Sequence, residues 1–150
     1  MTPLDPAALP GHAPRLYRAA RALCRTREDA EDLVQDTFTN VLAKPRVVSD
    51  ETGYLLRVLR NTHVSNHRAK TRHPSPVTLE DDAVPARQAE GATEILDAIA
   101  KLPENYRETL IAVDVVGLTY LEAAGALGVP AGTVMSRLCR ARRQVAGALG

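Results

Sequence analysis

The last third of the chain carries punctuation that few folds satisfy. From Leu102 to Leu149 it reads LPENYRETLIAVDVVGLTYLEAAGALGVPAGTVMSRLCRARRQVAGAL. Thr119 and Glu122 form a T-x-x-E capping box, whose hydroxyl and carboxylate satisfy backbone N–H groups at a helix start. Gly128 stands where that helix must stop in a left-handed turn, which glycine adopts without a Cβ clash. After Val129 and Pro130 a second helix is predicted, with Val134, Leu138, Ala141, Val145 and Leu149 at intervals of three and four. Two helices joined in this way make a helix-turn-helix. The other faces of the second helix hold Thr133, Ser136, Arg137, Arg140, Arg142 and Arg143. Short polar side chains near a helix start reach base edges, and arginines hold phosphates or guanine edges. The pattern points to DNA.

Composition narrows the fold. With no Trp, one Phe and four Tyr among 150 residues, cores must be made of Leu, Val, Ile and Ala, which favours helix packing. The expected class is all-α. No apolar run is long enough to span a bilayer, and the opening MTPLDPAALPGHAP lacks the basic and apolar segments of a secretion signal. A soluble, cytoplasmic protein without membrane insertion is expected. Cys24 and Cys139 lie far apart, match no metal spacing and read as reduced thiols. His63 and His67 have the interval of a metal pair, but no third ligand accompanies them. Neither a metal nor another cofactor is expected. The acidic pairs Glu28-Asp29 and Glu31-Asp32 come with no nucleophile constellation or phosphate loop, and suit a helix start electrically. No catalytic residue, and so no enzyme, is expected.

A net charge of +1 conceals strong segregation. Residues 28–36 contain five acids and no base, whereas residues 57–72 contain five Lys or Arg and no acid. Glu80, Asp81 and Asp82 form a further acidic cluster, and residues 137–143 hold four arginines. Two basic and two acidic segments suggest two DNA contacts and a basic protein partner.

Residues 1–14 read as a flexible tail, with a first helix from about Arg15 carrying Leu16, Ala19, Ala20 and Leu23 on one face. Thr26 caps a second helix that buries Ala30, Leu33, Val34, Thr37, Phe38, Val41 and Leu42 and ends by Pro45. A loop from Lys44 to Gly53 leads to a third helix, Tyr54 to Lys70, whose apolar stripe is Leu55, Val58, Leu59 and Thr62. Periodicity then lapses, so residues 74–92 read as a flexible linker, long for a connection inside one domain. Ile95, Leu96, Ile99 and Leu102 line the next helix, and Gly117 closes one from Pro103 to Val116. Two small helical domains are expected, at 15–73 and 93–150, the second a helix-turn-helix.

DAEDLVQDTF at 29–38, followed by GYLLRVLRNTHVSNHRAKTRH at 53–73, resembles region two of extracytoplasmic-function (ECF) sigma factors. LPENYRETLIAVDVVGLTYLEAAGALGVPAGTVMSRLCRAR at 102–142 is similar to their region four. The resemblance implies a dissociable initiation subunit of bacterial RNA polymerase that recognises promoters and opens DNA. It implies that Asp29, Asp32, Gln35 and Asp36 dock on the clamp helices of the largest core subunit. Arg57, Arg60, Asn61, Asn66 and Arg68 would serve the minus-ten element. Thr119, Tyr120, Thr133, Ser136, Arg137, Arg140 and Arg143 would serve the minus-thirty-five element, with region four on the polymerase flap. The linker would run through the core enzyme, where its acids mimic nucleic-acid charge. Whether an anti-sigma factor restrains the chain is left open. Departures from the family include Leu42 where tryptophan is frequent, Met135 where a base is common and Cys139 where histidine is frequent. Tyr54 stands at a position that is commonly aromatic. A dimeric helix-turn-helix regulator is the alternative, but it leaves the acidic second helix and basic third helix without a purpose. A decoy that binds only regulatory proteins would have no need of the C-terminal arginines.

Overall fold

The computed structural model describes residues 4–72 and 90–149. The chain opens with a short 3-10 turn, Pro6–Ala8, where the Asp5 carboxylate accepts from the Ala7 N–H at 3.0 Å. It continues directly into α1, Leu9–Leu23. The expected tail at 1–14 is therefore corrected over its described part, and α1 starts before Arg15. Leu4 and Leu9 are only 8% and 4% exposed, and the Leu4 N–H donates to the Arg46 carbonyl at 3.1 Å. Pro10 lies in the first turn, where its missing N–H had no helical partner to lose. Pro14 forfeits one such bond early in the helix, and the helix runs through it.

Helix α2, Arg27–Ala43, begins at Thr26, whose Oγ1 accepts from the Asp29 N–H at 3.0 Å. It buries Ala30, Leu33, Val34, Thr37 and Val41. Leu42, expected inside, is 50% exposed, because one residue beyond Val41 turns about 100° off the buried stripe. Helix α3, Glu51–Arg72, starts earlier than Tyr54 because Asp50 supplies the cap: its Oδ1 accepts from the Gly53 N–H at 3.1 Å. Among its described side chains Leu55, Leu56 and Leu59 are buried, with Thr62 beside them. Thr62 is satisfied by the Asn40 amide, which donates to its hydroxyl at 3.0 Å. Val58 is only partly buried.

All but the last three residues of the expected linker lie outside the described residues, and α4 runs over Glu90–Ala100. It turns Ala98 and Ile99 inward and leaves Ile95 46% exposed. Helix α5, Glu104–Leu110, passes into a π turn, Ile111–Val115. That wider turn ends where the Val116 N–H donates to the Ile111 carbonyl at 2.9 Å, and Gly117 then takes a φ of +91°. Helices α6, Tyr120–Leu127, and α7, Ala131–Leu149, form the helix-turn-helix. Both halves of the Thr119–Glu122 capping box are present, at 3.1 and 2.8 Å, and Gly128 adopts a φ of +72°. Val134, Leu138 and Ala141 are buried in α7; Val145 is half-buried and Leu149 is 46% exposed, so the stripe ends before the helix does.

The two halves are not held apart. Helix α3 lies against α6, and α1 lies against α4 and the π turn. Buried residues from Leu4 to Ala141 join in one cluster. Six alanines within it, Ala19, Ala20, Ala30, Ala112, Ala123 and Ala141, are fully buried. Among the described residues there is no helix long and apolar enough to cross a membrane.

Candidate nucleic-acid interface

Helix α2 turns two chemically different faces outward and inward. Its apolar stripe packs on α1 and α3, which leaves Asp29, Asp32, Gln35 and Asp36 exposed. The spacing of 29, 32 and 36 places three carboxylates along one side of a helix. Asp36 has a partner: the Asn66 amide of α3 donates to its Oδ2 at 3.3 Å. A residue assigned from sequence to polymerase docking thus touches one assigned to the minus-ten element.

On α3, Arg57, Asn61, Asn66 and Arg68 are exposed, whereas Arg60 is half-buried. The Arg60 Nε donates to Oε2 of Glu108 on α5, joining the two halves of the chain. Beside that pair is an open hollow lined by Arg60, Asn61, Val64, Ser65 and Arg68. Tyr54, the expected aromatic, is half-buried against the core and is no free stacking platform. The His63 and His67 rings lie 6.5 Å apart and are tilted by 31°. Among the described residues no three His, Cys, Asp or Glu side chains converge as metal ligands.

The helix-turn-helix presents a third group. Thr119 and Tyr120 are exposed at the start of α6, but the Thr119 hydroxyl and N–H are both engaged in the capping box. On α7, Ser136, Arg140 and Arg143 are exposed and Thr133 and Arg137 are partly so. Ser136 Oγ donates to the Thr133 carbonyl at 3.4 Å, and Arg143 Nη2 reaches Cys139 Sγ at 3.8 Å. The exposed members lie off the Val134–Leu138–Ala141 stripe, so packing of α7 on α5 and α6 aims them outward.

Arg142 behaves differently from its neighbours. Its Nε and Nη2 donate to the two carboxylate oxygens of Asp114 in the π turn, at 2.9 and 2.7 Å. These hydrogen bonds push the guanidinium above its ordinary range, with smaller contributions from the Asp114 charge and from Tyr120. Arg142 therefore ties the second helix of the motif to the turn before the first. Glu108 and Asp114 escape sequence reasoning because each partner lies far along the chain, at separations of 48 and 28 residues. No periodicity links such positions.

The chain is similar to known proteins over nearly its whole length. Residues 11–73 match the family model for sigma-70 region 2, and residues 92–145 match that for sigma-70, region 4. The ECF RNA polymerase sigma factor SigM of Mycobacterium tuberculosis is 34% identical, over 93% of this chain and 74% of its own length. SigE of Mycolicibacterium smegmatis, another ECF sigma factor, is 33% identical over 94% of this chain, which spans 62% of SigE. The sigma factor RpoE of Bartonella quintana, solved in complex with the anti-sigma factor NepR, superposes with a TM-score of 0.78 at 29% identity. That match covers 95% of this chain and 94% of RpoE. CnrH, solved with the cytosolic domain of CnrY, gives a TM-score of 0.68 at 25% identity over 95% of this chain and 85% of its own. Two family modules in order, on one all-α fold, identify the chain as a member of the ECF sigma factors.

Proposed function

We propose that this chain binds core RNA polymerase and directs it to promoters, where it helps open the DNA and start transcription. The observation that carries this is the juxtaposition on α2 and α3. An exposed acidic face, suited to a basic protein surface, runs beside a face bearing Arg57, Asn61 and Arg68, suited to nucleic acid. A duplex-binding regulator needs only the helix-turn-helix and has no use for that pair.

In this reading Asp29, Asp32, Gln35 and Asp36 meet the clamp helices of the largest subunit. Asn61 and Asn66 offer amides that donate and accept at base edges, and Arg57, Arg60 and Arg68 hold the backbone. Thr133, Ser136, Arg137, Arg140 and Arg143 face the upstream element, with Thr119 and Tyr120 at its rim and region four near the flap. No residue here carries a catalytic step; the chemistry of RNA synthesis belongs to the core enzyme. RpoE is held by an anti-sigma factor, NepR, which makes a protein of that class a partner for this chain too. A cytoplasmic location follows from partnership with polymerase.

Reconstitution tests the reading. Core polymerase with this chain is expected to produce a discrete run-off transcript from a selected promoter, and core alone none. Asp32→Lys with Asp36→Lys is expected to weaken association with core while circular dichroism remains that of the folded protein. An unchanged titration with core would remove α2 as the docking face. No transcript from any selected promoter would defeat the reading as a whole.

A further inference from the structure

The N-terminal part of the chain touches the loop before α3 near both of its ends. That loop, residues 44–50, joins α2 to α3, and most of it is exposed. Its upstream part is met by Leu4, whose N–H donates to the Arg46 carbonyl at 3.1 Å and whose side chain is buried. Leu4, Pro6 and Leu9 line a shallow hollow together with Val41, Leu42 and Pro45. Its downstream end is met by His12 of α1, whose Nε2 lies 3.1 Å from Oε1 of Glu51, the first residue of α3. A carboxylate oxygen only accepts, so the Nε2–H of His12 donates there. The His12 and Glu51 side chains are 18% and 44% exposed, so this pair adds little apolar burial. What both contacts do is fix where the loop backbone runs.

The loop is furnished for nucleic acid rather than for packing. Lys44 and Arg46 are exposed, and Val47 beside them leaves an apolar side chain 46% exposed. Arg57, on the α3 face assigned to the strand, is six residues beyond Glu51, which is about 9 Å along a helix axis. A strand held at Arg57 therefore passes within reach of the loop. Without a brace such a loop samples many conformations, and ordering it on binding costs affinity and blurs the choice between bases.

We propose that residues 4–9 and His12 form a positioning brace for this loop. The brace holds Lys44, Arg46 and Val47 in the geometry that meets the unpaired strand, and so sharpens selection at the minus-ten element. The strand's identity rests on the sigma-factor reading, whereas the brace contacts do not. Leu4 and His12 are positioning residues: they touch the loop and the first turn of α3, not the DNA. The acids of α2 at 29–36 lie towards the opposite end of that helix from the loop. The brace therefore acts on one promoter contact and leaves polymerase docking alone.

Hydrogen–deuterium exchange of the full chain reads the brace without DNA or polymerase. In Leu4→Ala with His12→Ala, amides at 46–50 are expected to exchange about three- to tenfold faster, with α2 and α7 unchanged. Leu4→Met with His12→Gln keeps an apolar anchor and an N–H donor, and is expected to restore wild-type exchange. Where the alanine pair loses helicity by circular dichroism, His12→Ala alone carries the test, because it removes little apolar burial. Unchanged exchange at 46–50 overturns the brace.

Holoenzyme reads the positioning. On a fork-junction promoter selected with the wild type, the alanine pair is expected to bind about three- to tenfold more weakly. That loss corresponds to a loop competent in roughly a tenth to a third of molecules. Discrimination against single-base changes in the minus-ten element is expected to fall, with core affinity and upstream specificity unchanged. The conservative pair is expected to restore both affinity and discrimination. Faster loop exchange with intact minus-ten discrimination would overturn the positioning role. Equal weakening of core binding would overturn it too, because it marks a merely structural arm. A wild type that directs no transcription would strike the sigma reading instead, and loop exchange would still decide the brace.

Discussion

Residues of one type have parted company in α7. Arg137, Arg140, Arg142 and Arg143 look equivalent in a list of basic residues, yet Arg142 alone is gripped bidentately by Asp114. The consequence for mutagenesis is specific. Arg140→Ala is expected to lower upstream promoter affinity by about 1–3 kcal/mol if Arg140 reads a base. If it holds a phosphate instead, every sequence weakens alike and the salt dependence falls by about one counterion. Asp114→Asn is expected to behave otherwise. An exposed ion pair contributes about 0–1 kcal/mol, so a urea titration should move only slightly, and the salt slope of DNA binding should stay level or rise as Arg142 is freed. A fall in that slope for Asp114→Asn would contradict a purely structural Arg142. A similar division holds on α3, where Asn61 is exposed and Asn66 is bonded to Asp36. Asn61→Ala is expected to spare core binding and impair strand opening, and permanganate reactivity of unpaired thymines is the measurement.

Among the elements, the helix-turn-helix was the most legible because its signals are local. A capping hydroxyl, a glutamate three residues on and a glycine in a left-handed turn act within a few residues of one another. Thr119→Ala removes one of the two capping bonds and is expected to cost about 1 kcal/mol, read as a lower urea midpoint with unchanged cooperativity. Thr119 then illustrates a double reading. Sequence placed it at the upstream element, and its hydroxyl is engaged in a cap, so reduced promoter binding by this variant must be compared with its lost stability. The start of α1 was illegible for the opposite reason. Pro10, Gly11 and Pro14 look like breakers, and only the burial of Leu4 and Leu9 against distant parts of the chain explains a helix there. Leu42 was misplaced for want of one turn's geometry at the end of α2, and the π turn leaves no mark in apolar spacing.

For the whole molecule, sequence reasoning recovered the all-α class but not how the halves meet. Side-chain periodicity states which face of a helix is buried, never which helix buries it. The approach of α3 to α6, and with it the Arg60–Glu108 pair, is therefore visible only in three dimensions. Within this core six alanines are fully buried, so added bulk at any of them must displace a neighbour. Ala141→Leu is expected to cost about 1–3 kcal/mol through overpacking, measured as a reduced urea midpoint, and to disturb promoter binding by shifting α7. Such crossings have a one-sided tolerance. A leucine can be trimmed by a methyl group at a time, but alanine has only its single methyl to give up, and glycine in mid-helix is itself costly. Inherited variation at these six positions can therefore proceed almost only towards greater bulk. Each such step forces a neighbour aside, so the close approach of the helices in this core is guarded by its smallest side chains.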